Sequence, residues 1–186
     1  WLIPETKPHI SQVYKHLVCD QVRNEMIVNS VKQSVNNDRS VMVLTERKEH
    51  IELLAKLMAD KGIKVVELHG GISTKQRQER ITFLSSKPNN DEAVVVLATG
   101  KYVGEGFDLP HLDTLFITLP IAWKGILAQY AGRIQREWSS KTIIQVYDFI
   151  DDFPTLLRMW KKREKGYKAL GYKFNEQRSL DFGNKK

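Results

Sequence analysis

The sequence predicts an α/β fold built on a mostly parallel, doubly wound sheet, and three observations carry that expectation. Short runs rich in apolar and β-branched residues, unbroken at Val41–Leu44, recur at Ile63–Leu68, Ala93–Ala98, Thr114–Leu119 and Thr142–Phe149, as strands of a parallel sheet require. Stretches with helical spacing separate them, the alternation that parallel crossovers produce. Glycines and charged residues gather directly after several of the runs, where an open parallel sheet places its ligand loops.

Taken in order, Trp1–His9 has two prolines and little periodicity and reads as a linker. From Asp20 onward, Val22, Met26, Ile27, Ser30, Val31 and Val35 recur at helical spacing up to the polar turn Asn36-Asn37-Asp38. The next helix is expected over Arg47–Lys61, with Ile51, Leu54, Leu57 and Met58 inward and Gly62 at its end. His69-Gly70-Gly71 makes a turn, after which Ser73 or Thr74 caps a helix through Leu84. Lys87-Pro88-Asn89-Asn90 breaks the chain before the third strand. Helices follow at about Lys124–Glu137 and at Pro154–Leu170, the latter carrying Arg158, Lys161, Lys162, Arg163 and Lys165, before a polar tail, Gly171–Lys186. The expected division is residues 1–19 as a leading linker, 20–152 as the α/β domain and 153–186 as a helical extension with a tail.

A chain of 186 residues with 41% hydrophobic and 27% charged residues has enough apolar material for a real core. Twenty-nine basic against 22 acidic residues give +7, an excess that suits a polyanionic partner. Cys19 is the single cysteine, which excludes an internal disulfide and a cysteine-rich zinc cluster and favours a reducing, cytoplasmic setting. No apolar run approaches the roughly 18 residues of a membrane span, so no membrane partner is expected. The chain opens on Trp1 and reads as a piece of a longer protein.

The densest chemistry lies in Gln129-Tyr-Ala-Gly-Arg-Ile-Gln-Arg136. Gln129, Gly132, Arg133 and Arg136 stand at offsets that return to nearly one face of a helix. Paired guanidiniums on one face repel unless an anion lies between them, and their planar forks suit phosphate oxygens. A solvated basic face with Glu137 as partner is the plainer alternative. Gly132 argues against it, because glycine inside a helix costs about 1 kcal/mol relative to alanine; close approach of a backbone or ligand would explain it.

Thr99-Gly-Lys-Tyr-Val-Gly-Glu-Gly-Phe-Asp-Leu-Pro110 is the second signal, with Gly100, Gly104 and Gly106 letting backbone approach a ligand. It is neither a dinucleotide fingerprint nor a phosphate loop, since Leu109 and Tyr102 stand where glycine and Ser/Thr are needed. Asp108 could equally cap the turn before Pro110. Thr45-Glu46-Arg47, after the first strand, joins a hydroxyl to a helix N-terminus, a sound phosphate site, although Thr45 could equally be an N-cap. His50 is expected at the surface. Asp91-Glu92 imitates a magnesium-binding acid pair but precedes its strand and so lies on the wrong rim. Trp123, Trp138 and the run Trp160 to Tyr172 could stack on bases or simply pack.

Gln-x-x-Gly-Arg-x-x-Arg resembles motif VI of the superfamily 2 helicases, the nucleic-acid-dependent ATPases. The strand, Ala-Thr, variable loop and Gly-x-Asp-x-Pro of 98–110 resemble motif V, and Thr45–Arg47 resembles motif IV; the likeness covers roughly Asp20–Phe149. It implies a RecA-like three-layer sandwich, the C-terminal of two motor domains in an ATP-dependent helicase. It further implies that Arg133 and Arg136 are arginine fingers for ATP and that Gly106, Asp108 and Gln129 line the nucleotide. Thr45, Arg47, Gly70, Thr99 and Gly100 would meet the nucleic-acid backbone. ATP and Mg2+ would be held mainly by an N-terminal RecA-like domain of the same protein, so this chain alone is expected to be inactive. Gln129 replaces the histidine, and Glu105 the arginine, of DEAD-box proteins. That departure points to the DNA-type branch near RecG-like and type III restriction translocases, with DNA preferred and RNA possible. A non-catalytic nucleic-acid-binding module of the same fold is the alternative, and an unrelated nucleotide-binding enzyme a third.

Overall fold

The computed structural model describes residues 9–86, 93–103, 109–122, 126–137 and 141–175, without the side chains of Lys101, Val103, Ile126 and Arg133. Helices α1 (Ile10–Cys19) and α2 (Gln21–Asn36) precede β1 (Val41–Thr45), α3 (Lys48–Asp60), β2 (Lys64–Leu68), α4 (Thr74–Ser85) and β3 (Val94–Thr99). A 3-10 turn at Gly100–Val103 follows, then β4 (Thr114–Ile117), α5 (Ile126–Arg133), β5 (Gln145–Asp148) and α6 (Pro154–Ala169).

The five strands form one sheet in the order β2-β3-β1-β4-β5, and every pairing is parallel. Alternation splits β1 between two cores. Met42 and Leu44 face a cluster with Leu84 of α4 and Leu127, Tyr130 and Ile134 of the α5 region, while Val41 and Val43 face Ile27, Val28, Val31, Ile51, Leu54 and Met58 of α2 and α3. Helices thus cover both faces, giving the expected three layers. The chain runs outward to β2, returns to β3 and then crosses to β4 beyond β1. The reversal brings the carboxyl ends of β1, β3 and β4 together, where such sheets hold ligands.

Local chemistry accounts for the helix ends. Ser73 caps α4 in a box with Gln76, and Gly62, at φ +75°, takes the left-handed position after α3. Four expectations need correction. Helix α2 is rotated by about one residue from the apolar reading: it buries Arg23, Asn24, Ile27, Val28, Val31 and Ser34, leaving Val22 66% exposed. Helix α5 stops at Arg133; the chain then tightens through Gln135 N–H donating to the Gly132 carbonyl at 3.1 Å, so Arg136 lies beyond the helix. Strand β5 begins only at Gln145, because the carbonyl of Ile143 is taken by Arg39 at 2.6 Å before pairing starts. Arg163 of α6 is 1% exposed, not on a solvated face.

Within residues 1–19, expected as a leading linker, Ile10–Cys19 is instead helix α1, which begins at a His9 cap. Its Val13 and Leu17 pack with Leu119, Phe153 and Leu156, joining α1 to α6. No helix among the described residues is long and apolar enough to cross a membrane.

Candidate functional site

At the carboxyl end of β1, Thr45 is fully buried. Asn24 Nδ2 donates to the Val18 carbonyl at 2.8 Å, which leaves Asn24 Oδ1 to accept from His50 Nε2 at 2.9 Å. His50 Nδ1 must then accept the Thr45 hydroxyl proton, at 2.9 Å. Burial holds the imidazole neutral, its pKa pushed down to about 3, with the Arg23 charge adding to the effect. Two expectations fall here. His50 is a buried link, not a surface residue, and the Thr45 hydroxyl turns inward instead of toward a phosphate. Nor is Thr45 the N-cap, a place held by Arg47 without a side-chain cap bond. Arg47 does remain at the rim, its guanidinium 5.8 Å over the Tyr14 ring.

The next strand end in register pairs Thr99 with Thr45. Thr99 is half-buried and Gly100 buried. Gly70 is exposed on the neighbouring turn, where an added Cβ would stand 2.5 Å from the Tyr102 hydroxyl oxygen. Here close approach requires glycine. Thr99, Gly100 and Gly70 thus lie on one rim with Arg47. Gly106 and Asp108 lie outside the described residues, as do Asp91, Glu92, Trp123 and Trp138.

The loop from β4 to α5 is held by three different helices. Arg23 of α2 donates to the Thr118 carbonyl at 2.7 Å, Tyr14 of α1 to that of Pro120, and Arg163 of α6 to that of Ile121 at 3.1 Å. Each arginine is itself held by a two-pronged carboxylate. Arg23 meets Asp151 at 2.8 and 3.0 Å; Arg163 meets Asp148 at 2.6 and 2.9 Å. Such forks fix geometry as well as charge. Sequence reasoning passed over these residues. The signal for Arg163 was available: with Leu156, Trp160 and Tyr167 it repeats on the inward stripe of α6.

On α5, Gln129 is exposed, and a Cβ at Gly132 would meet no described atom within 4 Å. Among the described residues no backbone outside its own helix approaches Gly132, which stands one residue from the helix end. Beyond Arg133, Lys141 Nζ donates to the carbonyls of Ile134 at 2.9 Å and Arg136 at 3.1 Å, a cation on the negative end of the helix. Burial lowers the Lys141 pKa, against the pull of Asp113. Tyr172 donates to the Ala131 carbonyl at 2.7 Å and Gln135 to that of Leu170 at 2.9 Å. The arginine-bearing end is thus rigidly mounted, and Arg136 is exposed. It borders a hollow of about 770 Å³ lined by Gln135–Glu137 and Lys141–Ile144.

That hollow lies beside residues entering β5, and Asp113, which enters β4, is the charge that acts on Lys141. Arg136 therefore sits toward the amino ends of the strands, whereas Arg47 and Thr99 sit at the carboxyl ends. Arg136 thus stands away from the rim where an open parallel sheet places its ligand loops. The cause is the length of α5, which starts at that rim and runs away from it. An exposed arginine on a held backbone carries a planar fork of the kind that suits phosphate oxygens. Among the described residues, no group of His, Cys, Asp and Glu could hold a metal ion.

Residues 20–138 match the family described as helicase conserved C-terminal domain. The chain belongs to that family. As a helicase C-terminal domain it is 30% identical over 155 residues to the putative helicase 161L of Invertebrate iridescent virus 6, covering 80% of this chain and 34% of that protein. It is 28% identical over 165 residues to the transcript termination protein A18 of Fowlpox virus, strain NVSL, again covering 80% and 34%. The chain thus spans about a third of these relatives' length. Among solved structures, T4 UvsW superposes with a TM-score of 0.70 at 20% identity, over 89% of this chain and 36% of that one. This helicase C-terminal domain therefore has the RecA-like fold of a superfamily 2 motor domain, with α5 and its arginines inside the matched region.

Proposed function

We propose that this domain is the second motor half of an ATP-dependent DNA helicase or translocase of the branch near RecG-like and type III restriction enzymes. Arg136 and Arg133 are its arginine fingers. The observation that carries the reading is the mounting of Arg136: an exposed cation just past α5, whose end is pinned by Tyr172, Lys141 and Gln135. A cation whose backbone is held before its ligand arrives loses less freedom on contact and can stabilise developing charge.

ATP with Mg2+, held mainly by an N-terminal RecA-like domain of the same protein, supplies the phosphoryl group transferred to water. Arg133 and Arg136 bind its phosphates from the facing side, and Gln129, Gly106 and Asp108 line the nucleotide. Arg47, Gly70, Thr99 and Gly100 hold the nucleic-acid backbone at the other end of the sheet. Thr45 serves that rim indirectly, by fixing the loop through His50. Helix α5 spans the two ends, so movement at the nucleotide is carried to the nucleic acid.

In the full-length protein, Arg136→Ala should lower nucleic-acid-stimulated ATP turnover by about 10³-fold, the scale of an arginine finger. Nucleic-acid affinity should stay within about twofold of the parent, that contact lying elsewhere. Turnover close to that of the parent would defeat the assignment. The domain by itself should hydrolyse no ATP.

A further inference from the structure

Helix α6 carries Arg158, Lys161, Lys162, Arg163, Lys165 and Lys168, with Glu164 its one acid. The structure divides them sharply. Arg163 is 1% exposed and committed to Asp148. The other five are exposed. Taking 100° per residue, Arg158, Lys161, Lys165 and Lys168 fall within a narrow stripe opposite the buried Leu156, Arg163 and Tyr167. Glu164 pairs with Lys168 at 2.6 Å, leaving a local excess of four positive charges in a chain whose whole excess is +7.

A helix face that serves solubility alone mixes signs and gains from i,i+4 pairs of opposite charge. This face has one such pair, Glu164 with Lys168, against two of like charge. Arg158 with Lys162 and Lys161 with Lys165 are like charges at i,i+4, each unfavourable by about 0.2–0.5 kcal/mol. From Arg158 to Lys168 the stripe runs about 15 Å at 1.5 Å per residue, the axial reach of about four phosphates of one duplex strand. The helix is clamped through Arg163, on its buried face, to Asp148 at the carboxyl end of β5 and to the Ile121 carbonyl, so the stripe has a fixed direction.

We propose that the outward face of α6 is a binding surface for the phosphodiester backbone of a nucleic acid, read through charge and spacing without regard to sequence. The proposal takes the nature of the polymer from the motor reading and adds a contact outside the helicase motifs. It requires no nucleotide, so its failure is separate from that of the arginine fingers.

The test is fluorescence anisotropy of the full chain with labelled single-stranded and duplex oligonucleotides between 50 and 200 mM salt. A triple variant, Arg158→Glu, Lys161→Glu and Lys165→Glu, should bind at least about 30-fold more weakly. The slope of log affinity against log salt should become shallower by about 2–3, since each lost contact removes roughly 0.7 on single strands and 0.9 on duplex. The two oligonucleotide arms tell which form seats there. The melting temperature should hold, these side chains being exposed, and Lys161→Arg with Lys165→Arg should retain binding. Unchanged affinity and slope in the triple variant, or no oligonucleotide binding by the parent, overturns the proposal. So does tighter binding of anionic lipid vesicles than of oligonucleotides through the same residues.

Discussion

Arg163 on α6 and Arg136 just past α5 lie in neighbouring segments joined by the Gln135–Leu170 hydrogen bond, yet their surroundings are opposite. Arg163 is 1% exposed and has its charge matched by Asp148, with Tyr167 completing the carboxylate's shell at 3.1 Å. Arg136 is exposed beyond a helix whose last carbonyls are occupied by Lys141. The first guanidinium organises the fold; the second stands exposed on a segment whose backbone is already held. Removing Arg163 should therefore lower stability, whereas removing Arg136 should lower activity and leave stability alone.

The largest expected effect is on turnover. Arg136→Ala should lose about 10³-fold or more in ATP hydrolysis by the full-length protein, with an unchanged urea midpoint; a shifted midpoint would break the contrast. Next comes Arg163→Met, which strands the Asp148 carboxylate in the interior and should cost about 3–5 kcal/mol in urea unfolding. Adding Asp148→Leu to that variant should recover most of the loss, because the penalty lies in the unpaired charge and not in a missing attraction. If the double variant is as unstable as the single one, the ion pair is not what holds α6.

The buried histidine sharpens the comparison through pH. His50 has a folded pKa of about 3 against an ordinary value of 6.5, so between those values the unfolded chain binds the additional proton. Its contribution is present above pH 6.5 and declines as pH falls toward 3, by at most about 1.4 kcal/mol per pH unit. Urea unfolding at pH 6.5 and 5.0 should show a drop of about 1–2 kcal/mol that His50→Gln removes. An equal drop in that variant would assign the slope to other groups. Smallest is Gly70→Ala, which presses a methyl against the Tyr102 hydroxyl and should cost about 1 kcal/mol, seen as a lower melting temperature.

Most of the fold was legible because its signals are local. Val41–Leu44 and Val94–Leu97 read as buried strands from their β-branched runs, and Gly62 and Ser73 mark helix ends by backbone and capping chemistry that needs no distant partner. The face of α2 was misjudged for the complementary reason. Arg23 and Asn24 look like surface residues until Asp151, Thr118, Val18 and His50 arrive from elsewhere in the chain to satisfy them. Thr45 reads as a phosphate contact from its place after a strand; its inward hydroxyl depends on His50 being carried there by the first turn of α3. The spacing that put Arg136 on a helical face was sound as arithmetic, but α5 ends at Arg133.

By itself the sequence determined the strands, the family motifs and the excess of positive charge, because apolar periodicity, glycine placement and net charge are properties of neighbouring residues. Only the tertiary structure decided which arginines are buried in ion pairs and which are exposed. That division depends on where carboxylates and carbonyls distant in the chain come to rest, and a guanidinium is drawn inside only where they meet it in a matching fork.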